Sequence, residues 1–407
     1  MKIEFMRWVD FWIGVPLCFI FSILNSLLRL IGIGRLKPGF KPQRILFIEL
    51  SEMGSTILAY SAMKKAKETF KAEIYFLIFK KNAESVRLLN IIPEENILTI
   101  RSHSFSTLFL DTVSVFWKMR ARRIDTAIDL ELFSRFTSLL CFFSPARAVV
   151  GYHRYHMEGL YRGNFRTHRV LYNPYYHMSQ NFMALVYSLI DGARDEPLLK
   201  RRINRSEIEH ASVTSTDEEK ETLRNRLQEI NHDLTESIRL VLLNPGASEL
   251  LPVREWPLEY YQKLAAEICS SELAAVVIIG VERDKSQAQA ICDFVQDGRC
   301  IDFTGRTANL RELVTLYNIS DLLVTNDSGP AHFAGLSNIR IIALFGPETP
   351  RLYAPLSDNC EALHADLACS PCVSAYNHRK TTCQNNECLQ AITVEQVYEE
   401  VLRSLSG

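Results

Sequence analysis

Apolar and polar positions alternate along most of this chain in two textures. Short unbroken apolar runs occur at "RILFIEL" (44–50), "AEIYFLIF" (72–79), "NILTI" (96–100), "TAIDL" (126–130) and "RAVVGY" (147–152). Between them, as in "SEMGSTILAYSAMKKAKETF" (51–70), apolar residues recur at helical spacing. A continuous apolar run predicts a strand covered on both faces, and strand–helix alternation predicts parallel βαβ units in a doubly wound sheet. Between about 195 and 237 the text turns polar and charged ("DGARDEPLLKRRINRSE", "STDEEKETLRNRLQEINHDLTES"), which predicts a linker and a solvated helix. Alternation then resumes, with strands over 237–246, 273–280, 321–327 and 339–347 and helices over 256–269, 284–296 and 310–320. The expected fold class is α/β: two Rossmann-like domains of doubly wound parallel sheet, 41–200 and 237–407, joined by 201–236 and preceded by an apolar segment, 1–40. Ligands of such sheets sit outside the carboxyl ends of the strands. The turns at 51–56, 244–256, 280–284, 304–309 and 326–332 are therefore where chemistry is expected.

Length agrees with two domains, since 407 residues exceed one ordinary core. A formal net charge of −1 argues against a nucleic-acid partner, so any attraction for anions must come from local clusters. The ten cysteines are scattered except for four near the C-terminus, which fits a reducing cytoplasmic setting rather than a disulfide framework. The first 40 residues are a different material. Phe11–Leu28 carries no charge over 18 positions, roughly 27 Å as a helix and about one hydrocarbon thickness. Gly14, Pro16, Ser22, Asn25 and Ser26 interrupt it, and Arg29, Arg35, Lys37, Lys41 and Arg44 follow, which would hold the next stretch on the cytoplasmic side of a membrane. No small-x-small cleavage site follows, which argues against a signal peptide. Membrane attachment, spanning or interfacial, is the expectation; a helix packed on the globular body is the alternative.

Four strand-end turns carry candidate chemistry. In "VTNDSGPAHFAG" (324–335), Asp327 ends an apolar strand, Ser328 and Gly329 form a tight turn, and His332 lies one turn into a small-residue helix. Such a helix start offers N–H groups to an anion, and proline early in it costs little. An ordinary N-cap by Asp327 or Ser328 would explain the turn but not His332. "NPGAS" (244–248) supplies Asn244, Gly246 and Ser248, followed by Arg254, whose guanidinium suits a phosphate. "FTGRTANLREL" (303–313) and "FGPETP" (345–350) add two more turns.

In this order the segments resemble the C-terminal nucleotide-sugar lobe of glycosyltransferase family 9, which includes the ADP-heptose:lipopolysaccharide heptosyltransferases. The resemblance runs through "NPGAS", "GRTANLREL", "TNDSGPAHFAG", "ALFGPETPRLYAP" and the cysteine-bearing tail, and more loosely through "RILFIELSEMGS", "IDTAIDLELFSR", "VVGYHR" and "YNPYYHMSQNFMAL". It implies a two-lobed GT-B fold and inverting transfer of a sugar, heptose from ADP-heptose, to a lipid-linked lipopolysaccharide-core or related glycan, without cofactor or metal. The donor diphosphate would lie against Asp327, Ser328, Gly329 and His332, with Asn244, Gly246 and Ser248 in the neighbouring turn. Arg254 stands where the family usually carries Lys, and Glu282 is a candidate for a ribose hydroxyl. Cationic side chains and helix starts would offset the charge on the leaving diphosphate. The implied place of work is the cytoplasmic face of the inner membrane. The implied partners are a nucleotide sugar, an anionic glycolipid and the membrane surface.

One departure bears on catalysis. The family's first turn usually reads S-x-x-G-D, with Asp as general base, whereas this chain reads Ser51-Glu52-Met53-Gly54-Ser55. Serine is no base near neutral pH, so Glu52, three residues earlier, is the expected base, ahead of Glu49 on the strand. The competing reading makes Glu52 a helix cap in an inactive sugar-nucleotide-binding scaffold; a GT-B-type nucleotide-sugar epimerase is a further alternative. For the acceptor, the stretch 145–169 is rich in Arg and His, with His153, Arg154 and Arg166 as candidate contacts. A solvated basic loop would show the same residues. The tail cysteines Cys369, Cys372, Cys383 and Cys388 have a spacing compatible with structural zinc or with plain reduced thiols.

Overall fold

The computed structural model describes residues 3–406 except 33, 35, 154–160, 194–195, 233, 235–237, 248–250 and 378. The chain divides into two compact units, Met1–Glu209 and His210–Gly407. Unit 1 carries β1 (Arg44–Ile48), β2 (Glu73–Phe79), β3 (Ile97–Ile100), β4 (Thr126–Asp129), β5 (Ala148–Tyr152) and β6 (His168–Val170) in the order 3-2-1-4-5-6. Every neighbouring pair is parallel. Unit 2 carries β7 (Arg239–Asn244), β8 (Ala274–Ile278), β9 (Cys300–Asp302), β10 (Leu322–Asn326), β11 (Arg340–Phe345) and β12 (Cys360–His364), in the order 12-11-10-7-8-9 and again all parallel. Counted from its own first strand, unit 2 repeats the order of unit 1. Both are Rossmann sheets, and each has its topological switch point between its first and fourth strands: β1/β4 and β7/β10.

The apolar runs became strands because both sheet faces are covered. Ile45 to Ile48 and Leu322 to Val324 are fully buried. The core of unit 1 packs Leu46, Leu77, Leu98 and Met119 together, and that of unit 2 packs Val241, Trp256, Tyr261 and Val276. Trp256 Nε1 donates to the Ile392 carbonyl at 2.8 Å, tying the C-terminal tail to the core. β6, β9 and β12 lie outside the expected strands. All three are sheet edges of three to five residues, too short and mixed to print an apolar run.

The polar stretch 201–236, expected to be a linker and a solvated helix, bonds to unit 1 at its start and to unit 2 beyond it. Glu209 N donates to Ser61 Oγ at 3.1 Å and Tyr187 Oη donates to Glu207 at 2.5 Å in unit 1. In unit 2, Val213 N donates to the Leu336 carbonyl at 2.7 Å, and the helix Asp217–Ile230 buries Leu223 and Leu227. At the N-terminus, α1 (Ile3–Trp12) and α2 (Gly14–Leu30) continue one another, with Ile13 N bonded to Val9 O at 3.0 Å and Leu17 N to Ile13 O at 3.2 Å. Phe5–Leu30 is long and apolar enough to cross a membrane.

A buried ion cluster holds the centre of unit 1. Asp129 ends β4 and pairs with Arg162 at 2.5 Å and Arg166 at 3.3 Å, all three excluded from water. Removing one charge from such a cluster strands the others in a low-dielectric interior. Asp129→Asn should therefore cost roughly 3–5 kcal/mol, read as a lowered denaturant midpoint with the unfolding of unit 1 moved ahead of that of unit 2.

Candidate active site

Unit 2 gathers its turns around the β7/β10 switch point. Asn326, the last residue of β10, is fully buried; its Oδ1 accepts from Trp256 N at 2.9 Å and its Nδ2 donates to the Pro245 carbonyl at 2.8 Å. One side chain thus pins both ends of the 245–256 turn to the neighbouring strand. Tyr261 Oη donates to the carbonyl of Asn244 at 3.1 Å, fixing the end of β7. Gly246 is required by close packing, because a Cβ there would meet the Asp284 carboxyl at 2.8 Å. Ser248 lies outside the described residues.

The cation of this crevice is Arg254. Its guanidinium stands 3.4 Å from Asp327 and 3.7 Å from Glu348, longer than the 2.7–2.9 Å of well-formed charge-assisted bonds. Its buried Nε has no hydrogen-bond partner among the described residues. Ser328 takes the N-cap position of the helix Gly329–Ala334 but makes no side-chain cap bond, so ordinary capping does not account for it. A Cβ at Gly329 would meet only Phe333, at 3.9 Å, leaving space over the turn. His332 is buried on this helix. The helix has only six residues, too few for the sizeable dipole that the sequence suggested, so Arg254 carries more of the positive field. Glu282 follows β8 with its side chain largely exposed, 3.5 Å from Lys285 and packed over Gly305.

Glu348 was not singled out by its sequence. It is 1% exposed, and burial, with Asp327 pushing the same way, raises its carboxyl to about 7 against the pull of Arg379 and Arg254. The signal lay in "FGPETP", a strand-end turn with an acid. What sequence could not show is that the turn folds inward onto Arg254. Among the described residues, no group of three or more His, Cys, Asp or Glu is placed to hold a metal ion. The four tail cysteines are free thiols, with Thr381 Oγ1 donating to Cys372 Sγ at 3.4 Å.

Unit 1 gathers acids at its own switch point. Glu49 and Glu131 follow β1 and β4 and are both buried. Glu131 Oε1 accepts from Leu50 N and Ser51 Oγ, each at 3.1 Å, and Glu49 Oε1 accepts from Glu52 N at 3.3 Å. Burial, reinforced by the neighbouring carboxylates, raises both carboxyls, Glu49 well above the ordinary range. Glu52 is the partly exposed member of the trio. It precedes the helix Met53–Leu58 without a side-chain cap bond, and Ser55 Oγ donates to its Oε2 at 2.8 Å. The helix-cap account of Glu52 therefore does not hold. Ser55, at the usual position of the base, steadies the carboxylate beside it. Asn82 Nδ2 bonds the carbonyls of Leu50 at 3.1 Å and Ser51 at 3.0 Å, bracing the loop from the other side.

The acceptor candidates fare differently. Arg154 lies outside the described residues. His153 is half-buried, its backbone N bonded to the Val170 carbonyl at 2.8 Å beside β6. Arg166 is a correction: it is buried against Asp129, and burial, with Arg162 alongside, lowers its guanidinium to about 10. It neutralises a strand-end carboxylate and is not a surface contact for an acceptor. Arg162 is buried likewise, with Nε donating to the Ser134 carbonyl at 2.8 Å, so the basic stretch is less exposed than its composition suggests.

Known proteins match this architecture. The chain is 31% identical over 186 residues to lipooligosaccharide heptosyltransferase 2 of Haemophilus influenzae, 44% of this chain and 50% of that protein. It spans about half the length of the curated relatives it matches. Among solved structures, E. coli ADP-heptose lps heptosyltransferase II superposes with a TM-score of 0.65 at 22% identity, over 89% of this chain and 98% of that one. E. coli heptosyltransferase WaaC with ADP gives 0.62 at 12%, over 89% and 100%. These likenesses are of fold and identify the pair of Rossmann units as GT-B. The profile of glycosyltransferase family 9 (heptosyltransferase) matches residues 113–382, from before β4 of unit 1 to the cysteine tail of unit 2. On that match, which takes in about two thirds of the chain, the protein belongs to glycosyltransferase family 9.

Proposed function

We propose that this chain is an inverting, metal-independent glycosyltransferase of lipopolysaccharide core assembly, moving heptose from ADP-heptose to an anionic lipid-linked acceptor at the cytoplasmic face of the inner membrane. The observation that carries the reading is the Glu52 carboxylate, held by the Ser55 hydroxyl at 2.8 Å on the strand-end turn of unit 1 and not engaged as a helix cap. In this reading the acceptor hydroxyl oxygen attacks the anomeric carbon while Glu52 takes its proton. The carbon–oxygen bond to the diphosphate breaks, its electron pair leaves on the phosphate, and a single displacement inverts the centre. Glu49 and Glu131 are buried with raised carboxyls, and Glu52 is the partly exposed member of the trio that an acceptor can reach. Residues 41–200 act as the acceptor domain and 237–407 as the donor domain. There Arg254, His332, Asp327, Ser328 and Gly329 take the diphosphate, Asn244 and Gly246 form the adjoining turn, and Glu282 takes a ribose hydroxyl. The names of the relatives and the ADP of the WaaC structure support the choice of sugar and nucleotide.

The decisive assay incubates purified chain with nucleotide sugars, with and without a glycolipid acceptor. Nucleotide release only with acceptor supports transfer; product without acceptor means an epimerase, and binding without turnover means a scaffold. Glu52→Gln is expected to lower kcat by about 10²–10⁴-fold with nucleotide affinity unchanged. Ser55→Ala, which removes only orientation, should cost about tenfold. Full turnover by Glu52→Gln would end the assignment.

For the donor, Arg254→Met should weaken ADP binding by about 10–100-fold in calorimetry, the range of a lost charge-assisted bond. Arg254→Lys, which restores the residue usual in the family, should stay within about tenfold of the native chain.

Glu348 gives a pH signature. Its carboxyl is neutral below about 7 in the folded chain, so it adds negative charge beside a bound diphosphate only at higher pH. ADP affinity of the native chain should therefore fall relative to Glu348→Gln between pH 6 and pH 8. Stability follows the same sign: the proton held in the native state stabilises it fully below the unfolded value near 4.5 and is lost as pH rises through about 7. Glu348→Gln should accordingly gain thermal midpoint over the native chain on going from pH 5 to pH 8.

A further inference from the structure

The N-terminal helix is amphipathic in the reverse of the usual sense. Asp10, Gly14, Cys18, Ser22, Asn25 and Arg29 recur every three or four residues and share one face, and that polar face is turned onto unit 1. Asp10 Oδ1 accepts from the backbone N of Arg135 and of Phe136, each at 2.9 Å, capping the helix Arg135–Phe143. A Cβ at Gly14 would lie 2.8 Å from Arg135 Cβ, so backbone and side chain touch there. Ser22 Oγ accepts from Asn164 N at 2.8 Å, Asn25 Nδ2 donates to the Asn164 carbonyl at 2.6 Å, and Arg29 donates to the Arg166 carbonyl at 3.3 Å. The opposite face holds Trp8, Trp12, Phe19, Ile23, Leu27 and Leu30, all exposed. A helix at home in water packs its apolar face inward and leaves its polar face wet.

A second helix enlarges this surface. Phe105–Ala121 leaves Phe109 68% and Trp117 70% exposed, with Leu110 and Val113 beside them. Phe5 meets Phe105 edge-on with centroids 5.6 Å apart, joining the two helices. Both helices thus expose large apolar side chains, and large exposed apolar surface marks sites of membrane or partner contact. Bases lie on and beside these elements. Arg7, Lys118, Arg120 and Arg123 are exposed. Asp10 is paired with Arg135 at 3.2 Å and Asp111 with Arg101 at 2.7 Å.

We infer that the N-terminal helix and the helix Phe105–Ala121 together form an in-plane docking surface for an anionic phospholipid bilayer, and that the N-terminal helix does not span it. This deepens the membrane reading above and rests on it. The polar contacts run from Asp10 to Arg29, about 29 Å of helix axis, nearly the hydrocarbon thickness. Spanning would carry the strapped loop 161–166 and Arg135 into lipid or break every one of those bonds. Lying flat keeps them and buries the aromatic face at the headgroup boundary, with arginine and lysine at its margin.

The test uses the full chain and vesicles of phosphatidylcholine alone or mixed with phosphatidylglycerol, without nucleotide or glycolipid, so its outcome does not depend on the transfer reaction. Sedimentation with the mixed vesicles is expected, with the chain released by alkaline carbonate. The Phe109→Ser/Trp117→Ser double variant should lose at least about tenfold in partitioning, while its thermal midpoint stays native. Unchanged partitioning of that variant, retention after carbonate as a spanning helix would show, or a lipid-independent dimer that the variant abolishes would each overturn the inference.

Discussion

In a doubly wound parallel sheet the connections from the first and fourth strands leave toward opposite faces, so the backbone between their carboxyl ends is covered by neither. Side chains placed there face a gap that the fold itself opens, and both units exploit it. In unit 1 the residues after β1 and β4 are acids, Glu49, Glu52 and Glu131. In unit 2 the turns after β7 and β10 are pinned by Asn326, and the Arg254 cation lies between Asp327 and Glu348. The same topological constraint thus gathers acids in one sheet and a largely buried cation between two carboxyls in the other.

What those sites can do follows from how buried charge is shared. Unit 1 crowds three carboxyls, while Arg162 and Arg166 both pair with Asp129. Burial and the neighbouring carboxylates raise the Glu49 and Glu131 carboxyls, and Glu52 is the partly exposed member of the three. Unit 2 reverses the balance. Its carboxyls stand more than 3 Å from Arg254, and Glu348 is raised toward neutrality, so the guanidinium field is only partly spent inside the protein. A cation already desolvated by the fold is the condition under which charge stabilisation is strongest.

Much of this was legible in the chain. Nine of the twelve strands print as apolar runs, because a strand covered on both faces has no reason to alternate. The edge strands β6, β9 and β12 do not, being short and half open. The helix Val394–Ser406 carried a usable signal, with Val394, Val397, Val401 and Leu405 at helical spacing. Candidate site residues clustered in turns that topology does bring together, Asn244 with Asp327 and Glu52 with Ser55. Burial was the hidden variable. Arg166 reads as a loop cation and folds into the interior against Asp129; Glu348 reads as a turn acid and folds onto Arg254. Composition reports charge, but only three-dimensional packing decides whether that charge faces water, a ligand or an opposite charge.

The N-terminal helix shows the same limit from the other direction. Hydropathy along Phe5–Leu30 is that of a membrane span, and its polar positions read as defects in one. In the structure those positions are the points of attachment: Ser22 and Asn25 grip the backbone of Asn164, and Asp10 caps the neighbouring helix. A polar stripe that bonds to the protein converts an otherwise uniform apolar helix into a two-sided one. Its outward side then requires a non-aqueous neighbour, since burying a Trp or Leu side chain is worth about 1.5–3 kcal/mol that exposure forfeits. Had the stripe been apolar, the helix would have been free to leave the unit and cross a bilayer alone. Because it is polar and fully engaged, the sheet, the strapped loop and the apolar face are held as one rigid surface.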